Sequence, residues 1–287
     1  MKQKLTIAVA SGKGGTGKTT VSASLALAAA DTGHKTAYMD CDVEEPNGHL
    51  FLKPNISYRH MVGIPVPIVD QDKCTACGLC GEICQFSAIV CINKNVLTFD
   101  KMCHGCGGCS LVCPAEAITE HSRNFGVVET GDCGNNLKFY HGKLDVGEIH
   151  SPPLIEAVRE TAQGEDLNIV DASPGTSCPV VAAIKGVDYI LLVTEPTPFG
   201  VNDLEIAVDM VKELGIPHAV VINRSVPEHT LARDFCRDNN IKILAEIPDD
   251  RRVAEAYSKG ELPYSGVEGY RELFKELIDT IIKEAGR

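Results

Sequence analysis

Eight of the thirteen cysteines in this 287-residue chain fall into two runs of identical spacing. The first is Cys74-x2-Cys77-x2-Cys80-x3-Cys84. The second, 29 residues further on, is Cys103-x2-Cys106-x2-Cys109-x3-Cys113-Pro114. Three thiolates this close together can wrap three irons of one [4Fe–4S] cubane, while the fourth points away toward a second cubane. The spacing therefore assigns Cys74, Cys77, Cys80 and Cys113 to one cluster, and Cys84, Cys103, Cys106 and Cys109 to the other. Zinc also takes Cys-x2-Cys pairs, but its structural sites use two separated pairs rather than triplets with a fourth thiol. Gly78, Gly81, Gly105, Gly107 and Gly108 allow close backbone approach and N–H donation to cluster sulfurs. Of the five remaining cysteines, Cys91 reads as a buried apolar filler. Cys41, Cys133, Cys178 and Cys236 are scattered, and Cys133 and Cys178 are the two candidates among them for facing a nucleotide or a partner.

A second constellation precedes the cysteines. Gly12-Lys13-Gly14-Gly15-Thr16-Gly17-Lys18-Thr19-Thr20 has the Gly-x4-Gly-Lys-Thr spacing of a phosphate loop. Its glycines let backbone N–H groups curl around phosphate oxygens, with the positive end of a following helix behind them. Lys18 is expected on the β- and γ-phosphates of ATP and Thr19 on Mg2+. Two acidic groups sit at further strand ends: Asp40 and Asp42 after 35–39, and Asp171 after 167–170, followed by Pro174-Gly175. Carboxylates at the carboxyl ends of parallel strands face the ligand, and Asp171 is placed to reach Mg2+ through water.

The elements that position these groups alternate. Leu5–Ala10 reads as a buried strand and 21–30 as an Ala/Leu-rich helix. Strands are predicted at 35–39, 167–170, 189–193 and 219–222, with a helix over 201–214. The last helix, 270–285, carries Tyr270, Leu273, Phe274, Leu277, Ile278, Ile281 and Ile282 on one face. Its polar face mixes both charge signs, so it is predicted to pack on the core rather than lie on a membrane.

The loop from Lys13 to Thr19 resembles the deviant Walker A loop of the MinD/ParA/Mrp and nitrogenase iron-protein ATPases. That resemblance implies an α/β P-loop fold, a mainly parallel sheet flanked by helices. It also implies ATP binding and Mg-dependent hydrolysis, with ADP as product. It implies a nucleotide-dependent homodimer, or a heterodimer with a related ATPase, in which Lys13 crosses to the partner's nucleotide as an arginine finger does. Asp42 would orient the attacking water, and Gly175 would belong to the switch that senses the γ-phosphate. Asn223, beside Arg224, would read adenine, and the loop containing Pro248 would close over it. Residues 74–113 resemble two-cluster bacterial ferredoxins, except that Gln85 stands where the second run has Pro114. The whole chain is similar to MinD-superfamily ATPases carrying an inserted α+β ferredoxin domain. The expected division is 1–62 and 121–287 for the ATPase and 63–120 for the insert.

Bulk properties narrow the partners. The formal net charge is −12, spread along the chain, so no direct nucleic-acid partner is expected. No apolar run reaches membrane-spanning length, no stable membrane insertion is expected, and Leu5–Val9 is too short for a signal peptide. A cytoplasmic location, where thiols stay reduced, fits metal-bound cysteines. The leading expectation is an ATPase whose nucleotide cycle drives electron transfer through the clusters to a redox partner. The alternatives are an iron–sulfur carrier of the Mrp type and a MinD/ParA-like positioning ATPase with redox-sensing clusters.

Overall fold

Leu5–Ala10 is apolar without alternation, the pattern of a strand covered on both faces, and it forms β1. The computed structural model describes residues 4–162 and 164–286. After β1 come α1 (Lys18–Asp31), β2 (Thr36–Asp40), α2 (Gly48–Leu52), β3 (Asn55–Val69), α3 (Leu79–Ile83), β4 (Ile89–Ile92), β5 (Asn95–Thr98) and α4 (Gly108–Leu111). Then follow β6 (Ile118–Asp132), β7 (Leu137–Leu144), α5 (Pro152–Thr161), β8 (Leu167–Asp171), α6 (Cys178–Ile184), β9 (Tyr189–Thr194) and α7 (Pro198–Glu213). The chain closes with β10 (His218–Ser225), α8 (Leu231–Asp238), β11 (Ile243–Pro248), α9 (Arg251–Ser258), α10 (Pro263–Gly266) and α11 (Tyr270–Ala285).

Nine strands form one sheet in the order β11-β10-β9-β1-β8-β2-β7-β6-β3. The pairs from β11 through β7 are parallel, so the carboxyl ends of β1, β2, β8, β9, β10 and β11 share one edge. Ligands of open α/β sheets bind there. One face is covered by α1 and α11. Ala23, Ala26, Ala28 and Ala29 of α1 are fully buried, and their small side chains let α1 lie close between the sheet and α11. Tyr270, Phe274, Leu277, Ile278 and Ile281 of α11 are buried in the same cluster, so its apolar face is spent on the core. The helices α5, α6 and α7 pack on β2, β1 and β9. Among the described residues no helix is long and apolar enough to cross a membrane.

The chain forms two compact units. One comprises Met1–Arg59, Val128–Lys143 and Ser151–Arg287, and the other His60–Val127 with Leu144–His150. The second unit is thus wider than 63–120, because β3 and β6 are 15 residues each and carry the chain out and back without a linker. Pro65 and Pro67 lie inside β3 rather than in a loop. An edge strand tolerates proline because one side needs no donors, and β3 is the edge of the sheet.

A charged network spans the edge strands of the first unit. Glu129 of β6 is 2% exposed. It accepts from His141 Nε2 at 2.8 Å and Lys143 Nζ at 3.0 Å on β7, and from Arg59 on β3. Burial pushes the carboxyl pKa up, but the donors Lys143, His141 and Arg59 outweigh it and hold it at about 2. Burial pushes His141 down to about 4 despite the carboxylate beside it. A neutral histidine in the fold that protonates near 6.5 when unfolded removes stability as pH falls from about 6.5 to 4. Between pH 7 and 4.5 that loss is about 2–3 kcal/mol. Glu129 contributes stability that is lost lower, from about 4.5 toward 2. Urea titrations of wild type and His141→Gln at both pH values should show a shallower acid loss in the variant. Equal slopes would exclude His141 as the source.

Candidate functional site

The sheet's carboxyl edge opens into a cleft of about 490 Å3, within the range of small-ligand sites. Lys13, Gly14, Gly15 and Gly17 line it from the loop after β1, and Lys18, Thr19 and Thr20 from the first turn of α1. Asp42 joins from the segment after β2, Asn223 and Arg224 from the end of β10, and Pro248 from the end of β11. Four residues expected in the site, Gly12, Thr16, Asp171 and Gly175, are not among the wall residues.

Asp171 is fully buried at the end of β8. Its Oδ1 accepts from Lys18 Nζ at 2.6 Å and its Oδ2 from Tyr38 OH at 2.8 Å. Burial disfavours the Lys18 charge, yet Asp171 outweighs it and raises the lysine pKa. Lys18 is thus paired to a carboxylate, the counterpart of the phosphate it is expected to meet. Asp40, also fully buried, accepts from the backbone N–H groups of Asp42, Asn47 and Gly48 and so fixes the loop that presents Asp42. Burial, then the neighbouring Asp171, pushes the Asp40 pKa upward. Asp42 is less enclosed, and burial raises it to about 6 against the pull of Lys18. Asn223 donates from Nδ2 to Thr16 O at 2.7 Å, tying the end of β10 to the loop after β1.

Gly12 is needed for close packing. A Cβ there would overlap the backbone carbonyl of Asp203 in α7, whereas at Gly14 the nearest atom is 4.0 Å away. Gly12→Ala is expected to cost about 1–3 kcal/mol by overpacking and to weaken nucleotide binding. Gly14→Ala should keep wild-type stability. Thermal melts with a fluorescent ADP analogue check both.

Sequence reasoning missed Tyr38 and Glu195. Glu195 follows β9 and bridges two wall residues, Arg224 at 2.6 Å and Lys13 at 3.7 Å. Its signal was an acidic residue directly after an apolar strand, the pattern that had marked Asp40 and Asp171.

The second unit repeats itself in backbone as well as in sequence. Ala76 and Gly105 have φ 55° and 68°, Gly78 and Gly107 85° and 71°, and Ser87 and Glu116 52° and 48°, each pair 29 residues apart. Gly78 and Gly107 precede α3 and α4, a conformation that favours glycine. Hydrogen bonds repeat too. The N–H of Ala76 donates to Cys74 Sγ and that of Gly105 to Cys103 Sγ, both at 3.4 Å. Ala88 N–H donates to Cys84 Sγ and Ala117 N–H to Cys113 Sγ, both at 3.3 Å. Burial raises the Cys84 thiol, but surrounding N–H groups, Phe86 first, bring it below the usual range.

The thiols gather into two separate cavities. Cys74, Cys77, Cys80 and Cys113 line one. Cys84, Cys103, Cys106 and Cys109 line the other, with Phe86 and His104. Each cavity thus takes three thiols from one run and the fourth from the other. Among the described residues no group of three or more His, Cys, Asp or Glu converges as a site for a single metal ion. In this unit Cys80, Ile89 and Val96 form a buried cluster, against which Cys74, Cys84, Cys91 and Cys109 pack, and Ile64, Val66, Ala88, Ala117 and Phe125 are buried as well. Cys91 is half-buried, and its thiol faces Ala76 O at 3.7 Å. Cys178 is exposed and Cys133 packs against the main core; neither lines the nucleotide cleft.

A phosphate-type loop at the carboxyl edge of a parallel sheet, with carboxylates at the neighbouring strand ends, defines a P-loop nucleotide-binding α/β protein. The chain belongs to the CobQ/CobB/MinD/ParA nucleotide-binding family, whose model matches residues 7–264. An uncharacterized Methanocaldococcus jannaschii protein, MJ0579, is 31% identical over 95% of this chain and 97% of its own. An iron–sulfur cluster carrier protein of Aquifex aeolicus is 27% identical over 89% of this chain and 60% of its own. The septum site-determining protein MinD of Pyrococcus horikoshii, solved with Mg-ADP, shares the fold with a TM-score of 0.62 at 20% identity, over 99% of this chain and 98% of that one.

Proposed function

We propose that the chain is a Mg-dependent ATPase that couples its nucleotide cycle to electron transfer through two [4Fe–4S] clusters held in an inserted, ferredoxin-like module. The observation that supports this reading most strongly is the division of eight thiols into two cavities, each completed by a cysteine from the opposite run. The surroundings suit cubanes. Backbone N–H groups already point at Cys74, Cys84, Cys103 and Cys113. Each cluster would supply one-electron redox chemistry. Cys77 and Cys106, at equivalent places in the two runs, are exposed, so a redox partner can approach both sites.

At the nucleotide site, Lys18 would exchange Asp171 for the β- and γ-phosphates. Asp171 and Thr19 would hold Mg2+, which would supply charge neutralisation at the phosphates. Asp42, held by the Asp40 turn, lies at the cleft wall where the attacking water would be oriented. Asn223 and Arg224, with Pro248, form the base end of the cleft. Lys13 is the cation offered to a second subunit's nucleotide.

Reconstituted protein should hydrolyse ATP and hold about eight irons per chain by the ligand count. ATP or a non-hydrolysable analogue should shift a cluster potential or the rate of electron transfer. Absence of both shifts, with clusters loaded and ATPase active, would sink the coupling. The similarity to an iron–sulfur carrier and the exposure of Cys77 and Cys106 favour a second reading, delivery of clusters to apo-proteins. ATP-accelerated transfer to an apo-ferredoxin would rank it first.

A further inference from the structure

We infer that Glu195 is a positioning residue for Lys13: its carboxylate holds the lysine on its own subunit until nucleotide draws it away. The inference rests on the proposal that Lys13 acts across a dimer. Glu195 is 9% exposed and sits on a rigid mount between β9 and α7. There Thr194 Oγ1 donates to Gly200 O at 2.9 Å, and Thr197 Oγ1 accepts from Gly200 N–H at 3.0 Å. Its Oε1 is bound by Arg224 NH1 at 2.6 Å and its Oε2 faces Lys13 Nζ at 3.7 Å. Arg224 adopts φ 51°, a left-handed conformation uncommon for arginine, where β10 shifts register against β11. Glu195 gives that strained residue its partner.

The arrangement makes a reversible restraint. A lysine engaged with a carboxylate of its own chain is unavailable to a phosphate on another, so this pair must break before Lys13 can cross. Breaking it leaves no orphaned charge, because Arg224 still satisfies Glu195. The lysine side chain is 31% exposed, and ion pairs of this exposure are weak. The bias to be expected is therefore about two- to five-fold, enough to lower premature assembly and small enough for a nucleotide's phosphates to overcome.

The test acetylates the nucleotide-free protein with limiting acetic anhydride and reads Lys13 by peptide mass spectrometry, against other lysines as internal reference. Glu195→Gln keeps the shape and an acceptor for Arg224 but removes the charge. Lys13 labelling should rise about two- to five-fold in that variant. In the unmodified sequence it should rise with added salt, which screens the pair, while the variant stays insensitive. The protein concentration needed for ATP-dependent dimerisation should fall by a similar factor in Glu195→Gln. Equal labelling of Lys13 in both proteins at every salt concentration overturns the restraint. Wild type that stays monomeric with ATP overturns the dimer reading instead, and labelling, which needs no dimer, still decides the restraint.

Discussion

Cys77→Ala combined with Cys113→Ala should leave about four irons per chain, whereas Cys77→Ala combined with Cys84→Ala should leave none. Cys77 and Cys113 line one cavity, so on the proposed reading their joint loss would remove one cluster and spare the other. Cys84 lines the other cavity, so pairing it with Cys77 removes a ligand from each. If each run instead served its own cluster, the two outcomes would exchange places. Iron analysis with electron paramagnetic resonance of the reduced proteins reads the result. The effect on the fold should be large as well. Cys74, Cys84 and Cys109 pack against the second unit's buried cluster of Cys80, Ile89 and Val96, so loss of metal bound at these thiols would take folding free energy with it. Hydrogen exchange across 60–127 should lose most of its protection in the cluster-free variant and on chelation of iron from wild type. Protection of α1 and β8 should persist.

Lys18→Ala should abolish nucleotide binding and also destabilise the nucleotide-free protein by about 3–5 kcal/mol. The second effect comes from Asp171, which is fully buried and would keep Tyr38 OH as its side-chain donor. A buried carboxylate stripped of its cation bears the full desolvation cost. The paired variant Lys18→Met/Asp171→Asn removes both charges from the site. It should recover most of that stability while remaining unable to bind or hydrolyse ATP. Denaturant melts of Lys18→Met, Asp171→Asn and the double form a cycle whose interaction energy isolates the pair. Additive losses would mean that Lys18 and Asp171 stabilise the fold independently. The cycle also separates two uses of one lysine, as the counter-charge of Asp171 at rest and the phosphate ligand proposed for the working state.

What could be read from the chain alone was chemistry fixed by short-range spacing. The phosphate loop lies between a strand and a helix that are contiguous with it, so β1 and α1 were legible along with Lys18 and Thr19. The two cysteine runs are local as well, and their repeat carried the crossed assignment of ligands. The strand-end carboxylates Asp40, Asp42 and Asp171 could be named because an acidic residue after an apolar run has one sensible place in a parallel sheet. Other decisions needed the tertiary structure, because they depend on groups brought together from distant segments. That Gly12 is required for close packing shows only once Asp203 is found against it. Asp171 reads as a wall of the cleft until Lys18 and Tyr38 are found covering it. The long strands β3 and β6 were illegible because proline and exposed polar residues look like loop, and only the position of β3 at the sheet edge makes them affordable. Glu129 with His141, and Glu195 with Lys13 and Arg224, are meetings of side chains 12 to 182 positions apart. Spacing along a chain carries no information about such meetings, because the strand order that creates them is set by burial of the whole sheet.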